Sequence, residues 1–250
     1  MPGWLAAGGW GLLAGAALVI GALVGWAVRV PTRVVAAVMA FGAGVLISAL
    51  AFDLMDEAER TGGLAATAIG FVGGAVAYVG ANIVLDRYGA RHRKRSHGRQ
   101  PSEAQAGGSG AAIAIGALLD GVPESVVLGI SLIGGQGVGL PVLAAVFISN
   151  LPEGLSSAAG MKQAGRGARY VFGVWGGIAV ISGIAAMLGY LLLDGASPAL
   201  IAVITAVAAG AILAMIADTM VPEAFSETHV FTGLITTFGF LTAFAIERMS

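Results

Sequence analysis

The chain consists almost entirely of apolar runs about as long as a bilayer is thick. A helix rises about 1.5 Å per residue, so about 20 apolar residues cover the hydrocarbon core. Eight runs meet or approach that length: 5–28, 34–55, 64–86, 111–132, 139–161, 168–193, 198–221 and 230–247. Charged residues make up 11% of the chain, against about 25% in an average soluble domain. Backbone N–H and C=O groups in lipid must be satisfied within the chain, which for isolated runs of this length means helices. The expectation is an all-α polytopic membrane protein with eight transmembrane helices in a single domain, 1–250. The first run has no basic leader and no small-residue cleavage site, so it reads as a span and not as a signal peptide.

Basic residues predict the orientation. Loops after spans one, three and five carry Arg29 and Arg33; then Arg87, Arg91, Arg93, Lys94, Arg95 and Arg99; then Lys162, Arg166 and Arg169. Only Arg60 and Arg248 fall on the other side. The positive-inside rule places those three loops in the cytoplasm and both termini outside, across a plasma (inner) membrane. The one real linker, 87–110, begins basic and ends in Gln-Ala-Gly-Gly-Ser-Gly, a flexible composition. Its cations read as a topology determinant rather than as a lipid-headgroup or nucleic-acid patch, and His92 and His97 within it are too few to define a metal site. The net charge of −1 gives no reason to expect a nucleic-acid partner. Cysteine is absent, which removes disulfides and thiolate metal sites and leaves oxygen ligands and three histidines. Glycines recur four apart at Gly11/Gly15, Gly21/Gly25, Gly70/Gly74 and Gly173/Gly177, a spacing that lets helix backbones approach closely.

Two acidic turns interrupt this apolar pattern: Asp120-Gly121-Val122-Pro123-Glu124 in span four and Ser149-Asn150-Leu151-Pro152-Glu153 in span five. A carboxylate at the bilayer centre costs roughly 2.5–3.5 kcal/mol on insertion scales. Proline adds a second defect. Pro123 cannot bond the carbonyl of Leu119, nor Pro152 that of Ile148, and such freed carbonyls persist where they line a cavity or hold an ion. Asp120 and Glu124 share one helix face, as do Ser149 and Glu153, with Asn150 one turn before Glu153. Two facing helices would offer three carboxylates, an amide oxygen and a hydroxyl, the oxygen donors that hard and borderline divalent cations take. No Lys or Arg lies in either span, so these carboxylates cannot all stay ionised and unpaired. Either metal or protons must bind, which predicts competition between them. A proton-conducting carrier would use the same residue types.

An internal repeat links distant spans. Ala43, Gly44, Ala51, Glu57 and Ala58 match Ala209, Gly210, Ala217, Glu223 and Ala224 at one offset of 166 positions. Spans two and seven cross in opposite directions in this topology, so the match is that of an inverted repeat, spans one to three and six to eight flanking spans four and five. Both matched segments end acidic. Asp53, Asp56, Glu57 and Glu59 cluster at the outer end of span two; Asp218, Glu223, Glu227 and His229 cluster at the inner end of span seven. Acidic mouths gather cations, although helix ends also carry charge simply because they reach water. Asp53 and Asp218 sit deepest, and Glu57 and Glu223 complete the candidate path.

These motifs resemble those of the ZIP family of divalent-metal transporters, typically eight-span proteins. The family carries a His-Asn-x-Pro-Glu-Gly-type motif on span four, where this chain has Asp120-Gly121-Val122-Pro123-Glu124-Ser125. A similar motif on span five corresponds to Ser149-Asn150-Leu151-Pro152-Glu153-Gly154, and the Pro222-Glu223-Ala224 ending of span seven is also similar. The resemblance implies uptake of a divalent metal ion toward the cytoplasm as transported substrate, no organic cofactor, no enzymatic activity, and a homodimer in the bilayer. Glu124 and Glu153 map onto metal ligands, Asp120 stands where a histidine is usual, and Ser149 where His or Gln is usual. Span six has no acid between 168 and 193, which implies one all-oxygen site instead of a two-metal centre. Losing imidazole weakens the preference for Zn²⁺ and favours Mn²⁺ or Fe²⁺. The alternative is a non-transporting ZIP-like scaffold or metal sensor.

Overall fold

The computed structural model describes residues 1–87, 109–133 and 140–249. Among them every regular element is helical: α1 (Gly3–Ala27), α2 (Thr32–Ala49), α3 (Met55–Asp86), α4 (Ser109–Ile130), α5 (Leu140–Gln163), α6 (Ala168–Leu193), α7 (Pro198–Met215), α8 (Val221–Thr228) and α9 (Phe231–Met249). Single π-helical turns, Leu50–Leu54 and Ile216–Met220, join α2 to α3 and α7 to α8. Most of the linker 87–110 lies outside the described residues.

Six helical runs are long and apolar enough to cross a membrane, which makes this a multi-pass helical membrane protein. The difference from eight expected runs has two causes. Spans two and three lie in one 55-residue run, Thr32–Asp86. The acidic segment between them contains no proline, so helical bonding continues until Gly63 breaks it at φ 79°, a conformation that favours glycine. The final span is helical as α9, but Thr232, Thr236, Thr237, Thr242, Glu247 and Arg248 dilute its apolar character, and it is not among the six.

Packing is backbone against backbone at glycine. A Cβ on Gly44 would strike the Thr236 carbonyl of α9, and one on Gly239 would strike Phe41 of α2. A Cβ on Gly210 would strike Phe71 of α3, and one on Gly74 would strike Val207 of α7. Gly21 and Gly154 do the same between α1 and α5, and Gly129 meets Ala186 between α4 and α6. Without a hydrophobic force between helices in lipid, close approach and dispersion hold such a bundle together. The registers fix relative direction. Gly8 lies by Gly183 and Met187, Gly15 by Ala179 and Trp26 by Phe172, so α1 and α6 are antiparallel. Gly70 meets Val203 and Gly74 meets Val207, so α3 and α7 are parallel.

Large apolar side chains face outward on the peripheral helices, among them Leu12, Leu23, Ile69, Val76, Ile184 and Leu241. Such surfaces fit lipid and not water. The core lies between α2, α5 and α7, where Met39, Leu46, Val146, Ile212 and Met220 interlock. The proline-bearing helices α4 and α5 run through this interior, so their polar turns are held at depth.

Candidate cation site

Both acidic turns are buried. Asp120 and Glu124 on α4 are 2% exposed, and Ser149, Asn150 and Glu153 on α5 are 1%, 4% and 5% exposed. Asp120 and Glu124 stand one turn apart on a helix that continues through Pro123, and Ser149 and Glu153 do so through Pro152. Burial of polar groups is tolerated when they are bonded, and several bonds are specific. Tyr78 of α3, itself 2% exposed, donates its hydroxyl to Asp120 Oδ1 at 2.6 Å. Asn150 Nδ2 donates to the Ala14 carbonyl of α1 at 3.0 Å. Ser149 Oγ donates to Val146 O at 3.0 Å and Ser125 Oγ to Gly121 O at 2.8 Å. These bonds use donors, so the Ser149 oxygen lone pairs and Asn150 Oδ1 remain acceptors suited to a cation.

The two polar turns lie on helices with different principal partners. α4 packs chiefly on α6 and α5 chiefly on α1, and the two touch each other at few points. Among the described residues, no three Asp, Glu or His side chains stand close enough together to hold a metal ion. Ser149 instead backs onto Gly42 of α2, whose built Cβ would lie 3.2 Å from its Cα. A Cβ on Gly121 would meet Ser182 Oγ of α6 at 3.8 Å, an ordinary contact distance.

Two neighbouring cavities lie between the acidic end of the bundle and α4. The larger, of about 730 Å³, is lined by Asp53, Asp56, Glu57, Arg60 and Glu247 at the α2, α7 and α9 ends. A smaller one of about 10 Å³, lined only by apolar atoms, has Glu124 among its lining residues. Leu54, Val127 and Val142 line both, an apolar wall common to the two cavities.

The remaining path residues fall in different settings. Asp53 and Asp218 each sit within a π-helical turn, the local widening often found at functional sites. Asp53 is half-buried with Oδ2 unbonded, whereas Asp218 is exposed. Glu57 is exposed and pairs with Arg60, and Glu223 is buried on α8.

Sequence reasoning missed two residues. Tyr78 is the one tyrosine within its apolar span, which is the signal that could have singled it out. Glu247 is a lone acid at the end of the last span. It carries a buried, unbonded Oε2 and lines the large cavity with Asp53. No family model matches the chain, and no curated protein sequence matches it either.

Proposed function

We propose that this chain is a ZIP-like carrier that moves a divalent metal ion across a membrane toward the cytoplasm. The observation that carries the reading is a pair of adjoining cavities: an acid-lined vestibule, and a small apolar cavity that shares Leu54, Val127 and Val142 with it and has Glu124 in its lining. A vestibule rich in carboxylates raises the local cation concentration, and a thin apolar wall is a barrier that side-chain movement can open. Glu124 and Glu153 are the principal ligands, with Asp120, Asn150 and Ser149 completing an oxygen set. That set suits Mn²⁺ or Fe²⁺ at least as well as Zn²⁺.

Alternating access comes from an inverted repeat of eight crossings. Four observations support it. The two π-helical turns fall at the repeat offset, Leu50–Leu54 against Ile216–Met220. Gly44 and Gly210 are equivalent by that offset, and each meets a carbonyl of its neighbour. Phe41 and Val207, the carbonyls that Gly239 and Gly74 approach, are equivalent in the same way. The antiparallel course of α1 and α6 has the sense such a repeat requires. Rocking about these glycine seams would bring α4 and α5 carboxylates together in one state and release the ion past Asp218 and Glu223 in another.

Proteoliposome uptake of Mn²⁺, Fe²⁺ and Zn²⁺ tests the reading. Glu124→Gln and Glu153→Gln should each cut uptake about tenfold or more while the protein still purifies as a folded species. Normal uptake by both variants would sink the site assignment. A second reading, a non-transporting scaffold, sensor or proton path, is favoured by the lack, among the described residues, of any group of three Asp, Glu or His that could hold a metal ion, and by the Tyr78 bond to Asp120. It predicts no metal flux from the wild-type protein, and a proton flux only for the proton path.

A further inference from the structure

A second cavity, of about 510 Å³, opens where the C-terminal ends of α1 and α5 meet the start of α2. Its rim is cationic and its floor apolar. Arg29 and Lys162 supply the charge, Gln163 and Thr32 further polar atoms, and Val28, Val35, Leu155 and Ala159 the wall. No acidic residue lines it. Lys162 is fixed in place: its Nζ donates to the Trp26 carbonyl at 2.7 Å and lies 5.0 Å from the centre of the Trp26 ring. Arg29 is exposed and pairs with no carboxylate among the described residues. Pro31 precedes α2 and gives it no side-chain cap, so the positive end of the α2 dipole faces the same space.

Two unneutralised cations and a helix N-terminus around one cavity select an anion, and phosphate is the anion such donors fit best. The apolar floor and the position at the end of membrane-length helices exclude a purely aqueous ligand as the best match. Basic pockets between spanning helices are where acidic lipid headgroups dock. We propose that this cavity binds one anionic phospholipid, its phosphate between Arg29 and Lys162 and its glycerol and first acyl carbons against Val28, Val35 and Leu155.

Native mass spectrometry of the purified, delipidated full-length protein, titrated with phosphatidylglycerol or phosphatidylcholine, provides the test. One phosphatidylglycerol should be retained in preference to phosphatidylcholine. Arg29→Gln removes an exposed side chain with no internal bond and should fold normally while weakening that retention about fivefold. Adding Lys162→Gln should weaken it further. Arg60→Gln, at the opposite end of the bundle and paired with Glu57, should leave it unchanged. Equal retention of the two lipids, or equal loss in the Arg29 and Arg60 variants, would overturn the proposal. So would displacement of the lipid by millimolar inorganic phosphate, which would mark a free-anion site instead.

Discussion

Buried oxygen atoms decide what this bundle can do, and their hydrogen bonds set what each is worth. Asp120 accepts from Tyr78 across 42 positions of sequence, a contact that pins α3 to α4 at the depth of the candidate site. Removing only the hydroxyl, as Tyr78→Phe, leaves the ring's packing and deprives Asp120 of that donor. Polar contacts inside membrane proteins average about 0.6 kcal/mol with a maximum near 1.7, so a loss of about 1 kcal/mol in unfolding free energy is expected. Denaturant titration in detergent reads it directly, and an unchanged midpoint would show that Asp120 finds another donor. The identity of the buried acids was legible from the sequence because charge in an apolar run is conspicuous. Their partners were not, because no local pattern ties Tyr78 to Asp120 or Ala14 to Asn150. Asp218 illustrates the same limit: sequence placed it with Asp53 as the deepest of the path acids, and folding leaves it exposed.

At the scale of the helix, glycine spacing was a better guide than hydropathy. The pairs Gly21/Gly25 and Gly70/Gly74 all lie at close helix contacts, but Gly173 and Gly177 have open space where a Cβ would go. Spacing alone therefore does not distinguish a seam from a lipid-facing surface. A substitution series separates them physically. Gly210→Ala pushes a methyl into the Phe71 carbonyl, backbone that cannot swing aside, and overpacking of this kind costs about 1–3 kcal/mol. Gly73→Ala meets nothing within 4 Å and should be neutral or stabilising by up to about 1 kcal/mol through helix propensity. Thermal denaturation of the purified variants should show Gly210→Ala and Gly44→Ala shifted down together and Gly73→Ala not at all or upward. Opposite behaviour of Gly44 and Gly210 would count against their equivalence in a repeat. The break at Gly63 escaped sequence reading for the same reason that spans two and three merged: the polar segment between them is helix-permissive, and only one residue leaves the helical region.

Orientation belongs to the molecule as a whole, because it depends on the summed bias of all the loops. Arg29 precedes α2 and Arg33 lies in its first turn, Lys162, Arg166 and Arg169 surround the α5–α6 turn, and the Trp26–Phe172 contact brings these two groups to one end of the bundle. Arg60 lies in the cavity at the other end, beside Asp53, Asp56 and Glu57. By the positive-inside rule the cationic end would face the cytoplasm, and under the proposed function the acidic vestibule would then lie outside, where an imported cation would be captured. Because the chain contains no cysteine, single cysteines report topology without background. Gly167 and Asp194 are exposed and lie in the turns at opposite ends of α6. In intact cells, Asp194→Cys should react with a membrane-impermeant maleimide, and Gly167→Cys should react only after the membrane is opened. The reverse pattern would turn the vestibule inward, and the proposed direction of transport with it. Labelling of both from outside would mean that α6 does not cross at all, and would remove the antiparallel α1–α6 pair from the basis of the proposed repeat.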